Sequence, residues 1–325
     1  MDFLPQRERV IGYHEGTPGG PLLIVIGGIH GNEHAGVEAL ASVCKLLGQE
    51  PEKNPDFAYQ GTFLALRGNL KALRLNARFL DRDLNRIMTQ SHVNAVLSAQ
   101  PSALEAEDEE LYYLIRTIEA AVRHYKPSKL IAMDIHTTSA KGGIFSIVSE
   151  DPESLSIATN FHAPVILGMM DGITGTSIHH FSSGHYGLPT IGVVFEAGQH
   201  RGSHSIGNAI SAVVNCMRTI GSVRPDDVEN KHDERLIRWS ARLPNVARLI
   251  TKHTIGPFDE FEMLPGYSNF SAVQKGQLLA HDIRGPIRAA TDGLILMPLY
   301  QKQGSDGFFL IQAQNEATCR AVSKA

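Results

Sequence analysis

A run of five apolar residues, residues 22–26 (LLIVI), is followed at once by a glycine-rich polar segment, residues 27–36 (GGIHGNEHAG). A strand that is apolar at every position is buried on both faces, which is typical of a parallel sheet covered by helices. The residues that follow, up to Gly48, place their apolar side chains roughly on one helical stripe. The segment therefore predicts a buried strand, a polar turn and a helix.

Two later segments repeat this strand pattern. Residues 129–138 (KLIAMDIHTT) and 189–198 (PTIGVVFEAG) are apolar runs that end in polar residues. An amphipathic helical pattern ends at Pro127, just before the first of them. Strands that alternate with helices predict an α/β fold, a three-layer sandwich around a mixed, mostly parallel sheet.

The pattern changes in the last third of the chain. A polar, charged stretch around residues 222–236 lacks apolar periodicity and is interpreted as a boundary. Beyond it, short strand-like runs separated by turn signals predict a small, mostly β domain, with no further helix-length stripe before the last dozen residues. We therefore expect a larger α/β domain at residues 1–225 and a β-rich C-terminal domain at residues 236–325.

Composition excludes several classes of partner. The 325 residues have a formal net charge of −4 with interspersed charges, so we expect neither a nucleic acid nor a membrane as partner. Cys44, Cys216 and Cys319 form no CxxC pair, which fits a reducing cytoplasm. The N-terminal residues lack an apolar signal core, and no stretch approaches the ~20 apolar residues that span a bilayer. The expectation is a cytoplasmic protein, and a homo-oligomer stays open.

Three polar clusters follow apolar strands: His30 with Glu33, then His136, then Glu196. The carboxyl ends of strands in an open α/β sheet gather ligand-binding residues at one edge. A His-x-x-Glu pair and a second-strand histidine make a His2Glu set typical of catalytic zinc, and Glu196 is the candidate proton acceptor. His-x-x-Glu alone is weak evidence in a chain with 15 histidines, but the other strand-end residues favour a metal. Asp134 either orients an imidazole or bonds to the backbone.

Four segments carry a family resemblance: GGIHGNEHAG, GNLKALRLNARFLDRDLNR, DIHTT and FEAG. In this order they resemble the motifs of the aspartoacylase and succinylglutamate desuccinylase family, a branch of the zinc carboxypeptidase-like hydrolases. The resemblance covers most of the first two-thirds of the chain, and the β-rich remainder fits the family's layout. It implies that His30, Glu33 and His136 bind one zinc ion per chain. It also implies that Glu196 is the general base.

The resemblance assigns substrate-binding roles as well. Arg78 would polarise the scissile carbonyl and stabilise the oxyanion, Asn85 and Arg86 would hold a substrate carboxylate, and Asn69 would lie in the pocket. A guanidinium can hold a carboxylate through two parallel hydrogen bonds, which lysine cannot do. An alternative is a surface ion-pair face, because Arg78, Arg82 and Arg86 are spaced four residues apart with aspartates between them.

The chain departs from the family's pattern in two places. The better-known members have an arginine about ten residues before the catalytic glutamate, where this chain has Tyr186. Specificity for aspartate is therefore in doubt, and His179, His180 and His185 either replace that arginine or belong to a loop. Tyr300 is the nearest match to the family's pocket tyrosine, and packing within the β domain is an equal interpretation.

Together these residues predict a zinc-dependent amidohydrolase. It would remove an N-acyl group from a small, carboxylate-bearing amino acid or a related amide by attack of zinc-bound water. A zinc carboxypeptidase acting on short peptides, an ester hydrolase on the same site and a non-catalytic metal-binding homologue stay open as alternatives. Glu196 argues against the last, because a metal-binding scaffold needs no further carboxylate. The same ligands would also accept cobalt or manganese.

Overall fold

The structure, a computed structural model, describes residues 3–182 and 184–323. The strands are β1 (Val10–Glu15), β2 (Thr17–Gly27), β3 (Gln60–Arg67), β4 (Leu130–Thr138), β5 (Phe145–Val148), β6 (Val165–Leu167), β7 (Thr190–Gln199), β8 (Val246–Thr254), β9 (Glu262–Met263), β10 (Ser271–Val273), β11 (Leu278–Asp282), β12 (Gly285–Arg288), β13 (Gly293–Leu296) and β14 (Asp306–Ala313). The α-helices are α1 (His34–Lys53), α2 (Leu70–Leu75), α3 (Gln90–Ser98), α4 (Ala106–Tyr125), α5 (Pro152–Thr159), α6 (Met169–Gly172), α7 (Ser177–Phe181), α8 (Ser205–Thr219), α9 (Lys231–Ser240) and α10 (Glu316–Ser323). Short 3-10 helices lie at Arg7–Arg9, Leu84–Arg86, Pro101–Ala103 and Pro225–Asp227. None of the described helices has both the length and the apolar character needed to span a bilayer.

Strand β2 shows why the chain forms three layers. Leu23 and Val25 pack on one face of the sheet with residues of α1 and α8. Leu22, Ile24 and Ile26 pack on the opposite face with residues of α3 and α4. Because successive side chains of a strand point to opposite faces and both faces are covered, every position of this run is apolar.

One sheet of eleven strands has the order β1-β3-β2-β4-β7-β5-β6-β8-β14-β13-β10. Five of the seven pairings from β1 to β8 are parallel, whereas the pairings from β8 to β10 are antiparallel. Strands β12, β11 and β9 form a separate antiparallel sheet. The predicted fold, a mixed, mostly parallel sheet between helices with a small C-terminal β part, is confirmed.

The polar stretch around residues 222–236 contains the start of a helix that its composition does not indicate. Helix α9 begins within it at Lys231 and packs against α8. Only His232 and Leu236 among its ten residues are buried, so the helix shows no run of apolar periodicity. The domain limits stay a prediction, and strands β8, β14, β13 and β10 extend the same sheet that holds the first seven strands.

Candidate active site

The carboxyl ends of β2, β4 and β7 lie side by side at one edge of the main sheet. β2 pairs in parallel with β4, and β4 pairs with β7 so that His136 stands opposite Glu196. The turn after β2 carries His30 and Glu33. One ligand atom from each of His30, Glu33 and His136 lies within 4.8 Å of the others, and all three residues are buried. The structure thus brings the predicted metal residues together.

Glycines allow the turn after β2 to pass close to α2. A β-carbon on Gly31 would lie 2.1 Å from the backbone carbonyl carbon of Ala72, so a larger residue could not fit there. Gly28 has a φ of +75°, a left-handed conformation that favours glycine. These positions explain why histidine and glutamate stand among glycines: the turn must be tight to aim both side chains at one point.

The three predicted ligands form one hydrogen-bonded network. Glu33 is the N-cap residue of α1, but its carboxylate makes no cap bond and instead faces both imidazoles. Its Oε1 lies 2.9 Å from His30 Nδ1, and its Oε2 lies 3.1 Å from His136 Nδ1. On the far side of the rings, His30 Nε2 lies 3.0 Å from Asp83 Oδ1, and His136 Nε2 lies 2.9 Å from Asp134 Oδ2. Of the two roles that the sequence left open for Asp134, the structure therefore shows the first: its carboxylate orients the imidazole of His136.

The opposite charges in this network stabilise the ionised forms of Glu33 and His136. Burial would raise the pKa of Glu33, but His30 and His136 hold that pKa well below its usual range. Burial would lower the pKa of His136, but Asp134 and Glu33 hold it well above its usual range. A buried cluster of this kind is stable only when cation and anion neutralise each other.

Glu196 lies in the same cavity and differs from Glu33 in its environment. Its side chain is buried, and its Oε2 has no hydrogen-bond partner among the described residues. Burial raises the pKa of Glu196 to about 8, with His136 opposing the rise and Glu33 adding to it. A carboxyl group whose pKa is near neutral pH is suited to take up and return a proton.

Arg78 also lines this cavity. Its Nη2 donates to Asp83 Oδ2 at 3.0 Å, and its Nη1 lies 3.7 Å from Glu33 Oε1. The side chain is only 13% exposed, so the surface ion-pair face considered for Arg78 is not formed. Arg82, four residues later, does form a surface pair, with Asp108.

Asn85 and Arg86 line the cavity as well. Asn85 Oδ1 accepts a hydrogen bond from the backbone N–H of Ser177 at 2.8 Å, which ties the start of α7 to the site. Arg86 Nη2 donates to Asp306 Oδ2 at 2.6 Å, and Arg86 Nη1 donates to the carbonyl of Asn85. Both residues thus stand where a substrate group can reach them, with Arg86 held by a carboxylate of β14.

Two other residues, the predicted pocket residue Asn69 and the undecided Tyr300, lie elsewhere. Asn69 is fully buried outside the cavity lining, where its Oδ1 caps α2 by accepting from the Ala72 N–H and its Nδ2 donates to Glu107. Tyr300 is exposed, and its hydroxyl donates to the carbonyl of Leu264 at 2.7 Å. The structure therefore does not bring Asn69 or Tyr300 to the cavity.

Sequence reasoning missed several cavity residues, among them His200, Gln301 and Asp306. His200 accepts from the Thr137 hydroxyl at 2.8 Å and donates through Nε2 to Gln301 Oε1 at 3.1 Å. Burial lowers the pKa of His200, which keeps the ring neutral. Its position directly after β7, at the edge of the sheet where the other site residues lie, could have indicated this role from the sequence. Gln301 and Asp306 belong to the C-terminal strand region and carry no motif that could have revealed them.

Comparison with known proteins gives a consistent family match. Residues 19–220 match the family model described as the succinylglutamate desuccinylase/aspartoacylase catalytic domain. A succinylglutamate desuccinylase of Pseudoalteromonas atlantica is 25% identical over 292 residues, covering 83% of this chain and 75% of that relative.

Solved structures share the fold. A succinylglutamate desuccinylase/aspartoacylase from Rhodobacter sphaeroides superposes with a TM-score of 0.62 at 16% identity, covering 94% of this chain and 88% of the other. The product-bound ectoine utilization protein EutE (DoeB) from Ruegeria pomeroyi superposes with a TM-score of 0.59 at 17% identity, covering 93% and 87%. At these identities the likeness shows the fold alone.

Proposed function

Because the chain belongs to the succinylglutamate desuccinylase/aspartoacylase family, we propose that it is a zinc-dependent amidohydrolase that releases an N-acyl group from a small, carboxylate-bearing amino acid or a related amide. The family's named members are hydrolases of C–N bonds other than peptide bonds, and this chain is a hydrolase of that class. One observation carries the finer proposal: the buried cluster of His30, Glu33 and His136 shares a cavity with Glu196 and Arg78.

Zinc fits the donor set. Two imidazole nitrogens and one carboxylate oxygen are ligands of catalytic zinc sites, which keep a further position open. Asp83 and Asp134 accept from the outer nitrogens of His30 and His136, so each Nδ1 would face the metal. A bound zinc ion would supply Lewis acidity toward a carbonyl oxygen and a water molecule.

Glu196 and Arg78 have the positions for the proton and charge steps. Glu196 would accept a proton from the attacking water through its unpartnered Oε2 and return that proton to the leaving nitrogen. Arg78 would donate hydrogen bonds to the carbonyl oxygen as negative charge develops on it. Asp83 holds the guanidinium of Arg78 in place, so little reordering is needed during the reaction.

Asn85 and Arg86 would hold the substrate carboxylate. A guanidinium has five N–H groups. The hydrogen bonds of Arg86 to Asn85 and Asp306 occupy only some of them. The remaining N–H groups can pair with a carboxylate. In this scheme the substrate carries one carboxylate near Arg86 and its scissile carbonyl near Arg78.

Replacing Asp134 by Asn should weaken zinc binding about 10- to 100-fold, because His136 loses the charged acceptor that fixes its ring. Competition against a chromophoric chelator measures the affinity. Asp108→Asn is the matched control, since Asp108 pairs with His92 outside the cavity. Equal zinc affinity of Asp134→Asn and the wild type would contradict this role.

Zinc binding at pH 7 should release about one proton or more per ion. The reason is that the pKa of His136 is held well above its usual range, so this ring is protonated at pH 7 until a metal displaces the proton. Apparent zinc affinity should therefore fall as the pH is lowered. Titration calorimetry in two buffers of different ionisation enthalpy gives the proton count, and a count of zero would contradict the expected charge state.

A substrate panel tests the proposed function. N-acyl amino acids, dipeptides and ester analogues should be offered with and without a chelator. We expect chelator-sensitive release of free amino acid from the N-acyl members, with higher kcat/KM than on the dipeptides. A preference for dipeptides would favour the carboxypeptidase alternative, and turnover of esters alone would favour the ester hydrolase.

A further inference from the structure

The cavity has a second, apolar side that the proposed mechanism does not use. It has about 860 Å³ of space, part of it open to solvent. Apolar residues line that side, among them Ile147, Met169, Ile173, Ile178, Val194 and Phe309. A substrate group that enters the cavity beyond the zinc ligands would meet these side chains.

The sheet places this apolar wall directly beside the proposed general base. Val194 and Glu196 are two residues apart on β7, so their side chains point to the same face, about 7 Å apart along the strand. Ile147 of β5 stands opposite Val194. Met169 and Ile173 of the α6 region complete this apolar wall. The apolar wall is therefore within reach of any substrate whose amide lies near Glu196.

Positive charge for a second substrate carboxylate is lacking on this side. Of the described residues that line the cavity, only Arg78 and Arg86 carry a permanent positive charge. Each already pairs with an aspartate of the chain, Arg78 with Asp83 and Arg86 with Asp306. A carboxylate placed against the apolar wall would lose its hydration without gaining a cation, which is strongly unfavourable.

The histidines near Tyr186 do not supply the missing charge. His179 lines the cavity, but its Nδ1 lies 2.6 Å from the Thr176 hydroxyl and its Nε2 lies 2.9 Å from the carbonyl of Met170. Both ring nitrogens of His179 are therefore occupied by hydrogen bonds to nearby residues of the chain. His185 lies outside the cavity lining and faces Glu119 of α4 at 3.3 Å.

We propose that this hydrolase acts on amides whose acyl group or amino-acid side chain is uncharged and apolar, bound against the wall of Ile147, Ile173 and Val194. Its substrates therefore carry no carboxylate beyond the one that Arg86 holds, unlike N-succinylglutamate, which carries three. This inference rests on the proposed function. The apolar group is an aliphatic, thioether or aryl group, and the substrate keeps one carboxylate for Arg86.

Two matched substrate series test the inference and locate the apolar group. The first series varies the side chain at a constant acyl group: N-acetyl-methionine, N-acetyl-leucine and N-acetyl-phenylalanine against N-acetyl-aspartate. The second varies the acyl group on glycine: isovaleryl and benzoyl against succinyl. We expect the apolar members of at least one series to have a kcat/KM about 100-fold or more above the acidic member, and that series identifies the group that the wall binds.

A variant pair links this preference to the wall. Ile173 is half-buried, so Ile173→Arg can place a cation in the cavity, and Ile173→Gln is the uncharged control. Ile173→Arg should shift the apolar-to-acidic ratio of kcat/KM about 100-fold toward the acidic substrate, and Ile173→Gln should not. Acidic members cleaved best in both series would overturn the inference and leave the proposed function standing. Absence of turnover on every member would overturn both.

Discussion

Glu196→Gln should lower kcat about 10²- to 10⁴-fold, the usual contribution of a positioned general base. The amide cannot accept a proton, yet it has nearly the same shape, so the cavity should keep its form. Zinc content should stay at the wild-type level, since Glu196 is not one of the three clustered ligands. Kinetics on an N-acyl amino acid and metal analysis of the same preparation make the test.

Glu150→Gln is the matched control, because Glu150 is an exposed glutamate paired with Arg248. Its kcat should equal that of the wild type. Full activity of Glu196→Gln would contradict the mechanism. Loss of zinc from Glu196→Gln would instead assign this residue to the metal.

His136→Ala should remove zinc and activity together. The variant keeps only His30 and Glu33 of the clustered donors. It also removes the imidazole whose two nitrogens face the buried carboxylates of Glu33 and Asp134. Loss of the metal's Lewis acidity, worth several kcal/mol, corresponds to a fall in kcat/KM of at least about 10²- to 10³-fold. Zinc per chain after dialysis should drop well below the wild-type value.

His92→Ala is the control for this variant, since His92 also pairs with an aspartate, Asp108, but lies outside the cavity. It should retain both zinc and activity. Zinc content unchanged in His136→Ala would contradict the proposed ligand set. A circular dichroism spectrum like that of the wild type would show that the loss is local.

The metal cluster could be predicted because its parts lie at the ends of parallel strands. Apolar runs in the sequence predict β2, β4 and β7. Neighbouring parallel strands place their carboxyl ends at the same edge of the sheet. His30, Glu33 and His136 therefore meet even though 103 residues separate Glu33 from His136. The same logic placed Glu196, which stands opposite His136 in the β4–β7 register.

The partners of the cationic residues could not be predicted in this way. Arg86 pairs with Asp306, 220 residues later, and nothing in the local sequence around Asp306 marks it as part of a site. Gln301 reaches the cavity from the same C-terminal region. Such contacts depend on which strands pair at long range: β14 pairs with its sequence neighbour β13 and also with β8, which lies six strands earlier in the chain.

The local sequence pattern was also insufficient to predict a helix that buries few of its side chains. Helix α9 buries two residues one turn apart, and one of them is His232, so the local pattern does not indicate a helix there. Asn69 shows a related effect: its motif position pointed to the pocket, whereas its side chain caps α2 and bonds to Glu107. In both cases the packing partner, which is remote in sequence, decides what the residue does.

The metal content of the purified protein, measured together with activity before and after chelation, tests the central claim most directly. We expect about one zinc ion per chain, loss of N-acyl amino acid hydrolysis on removal of the ion, and recovery when zinc is added back. A metal-free chain that hydrolyses these amides at the full rate would contradict the account, and so would a chain that retains no zinc at His30, Glu33 and His136.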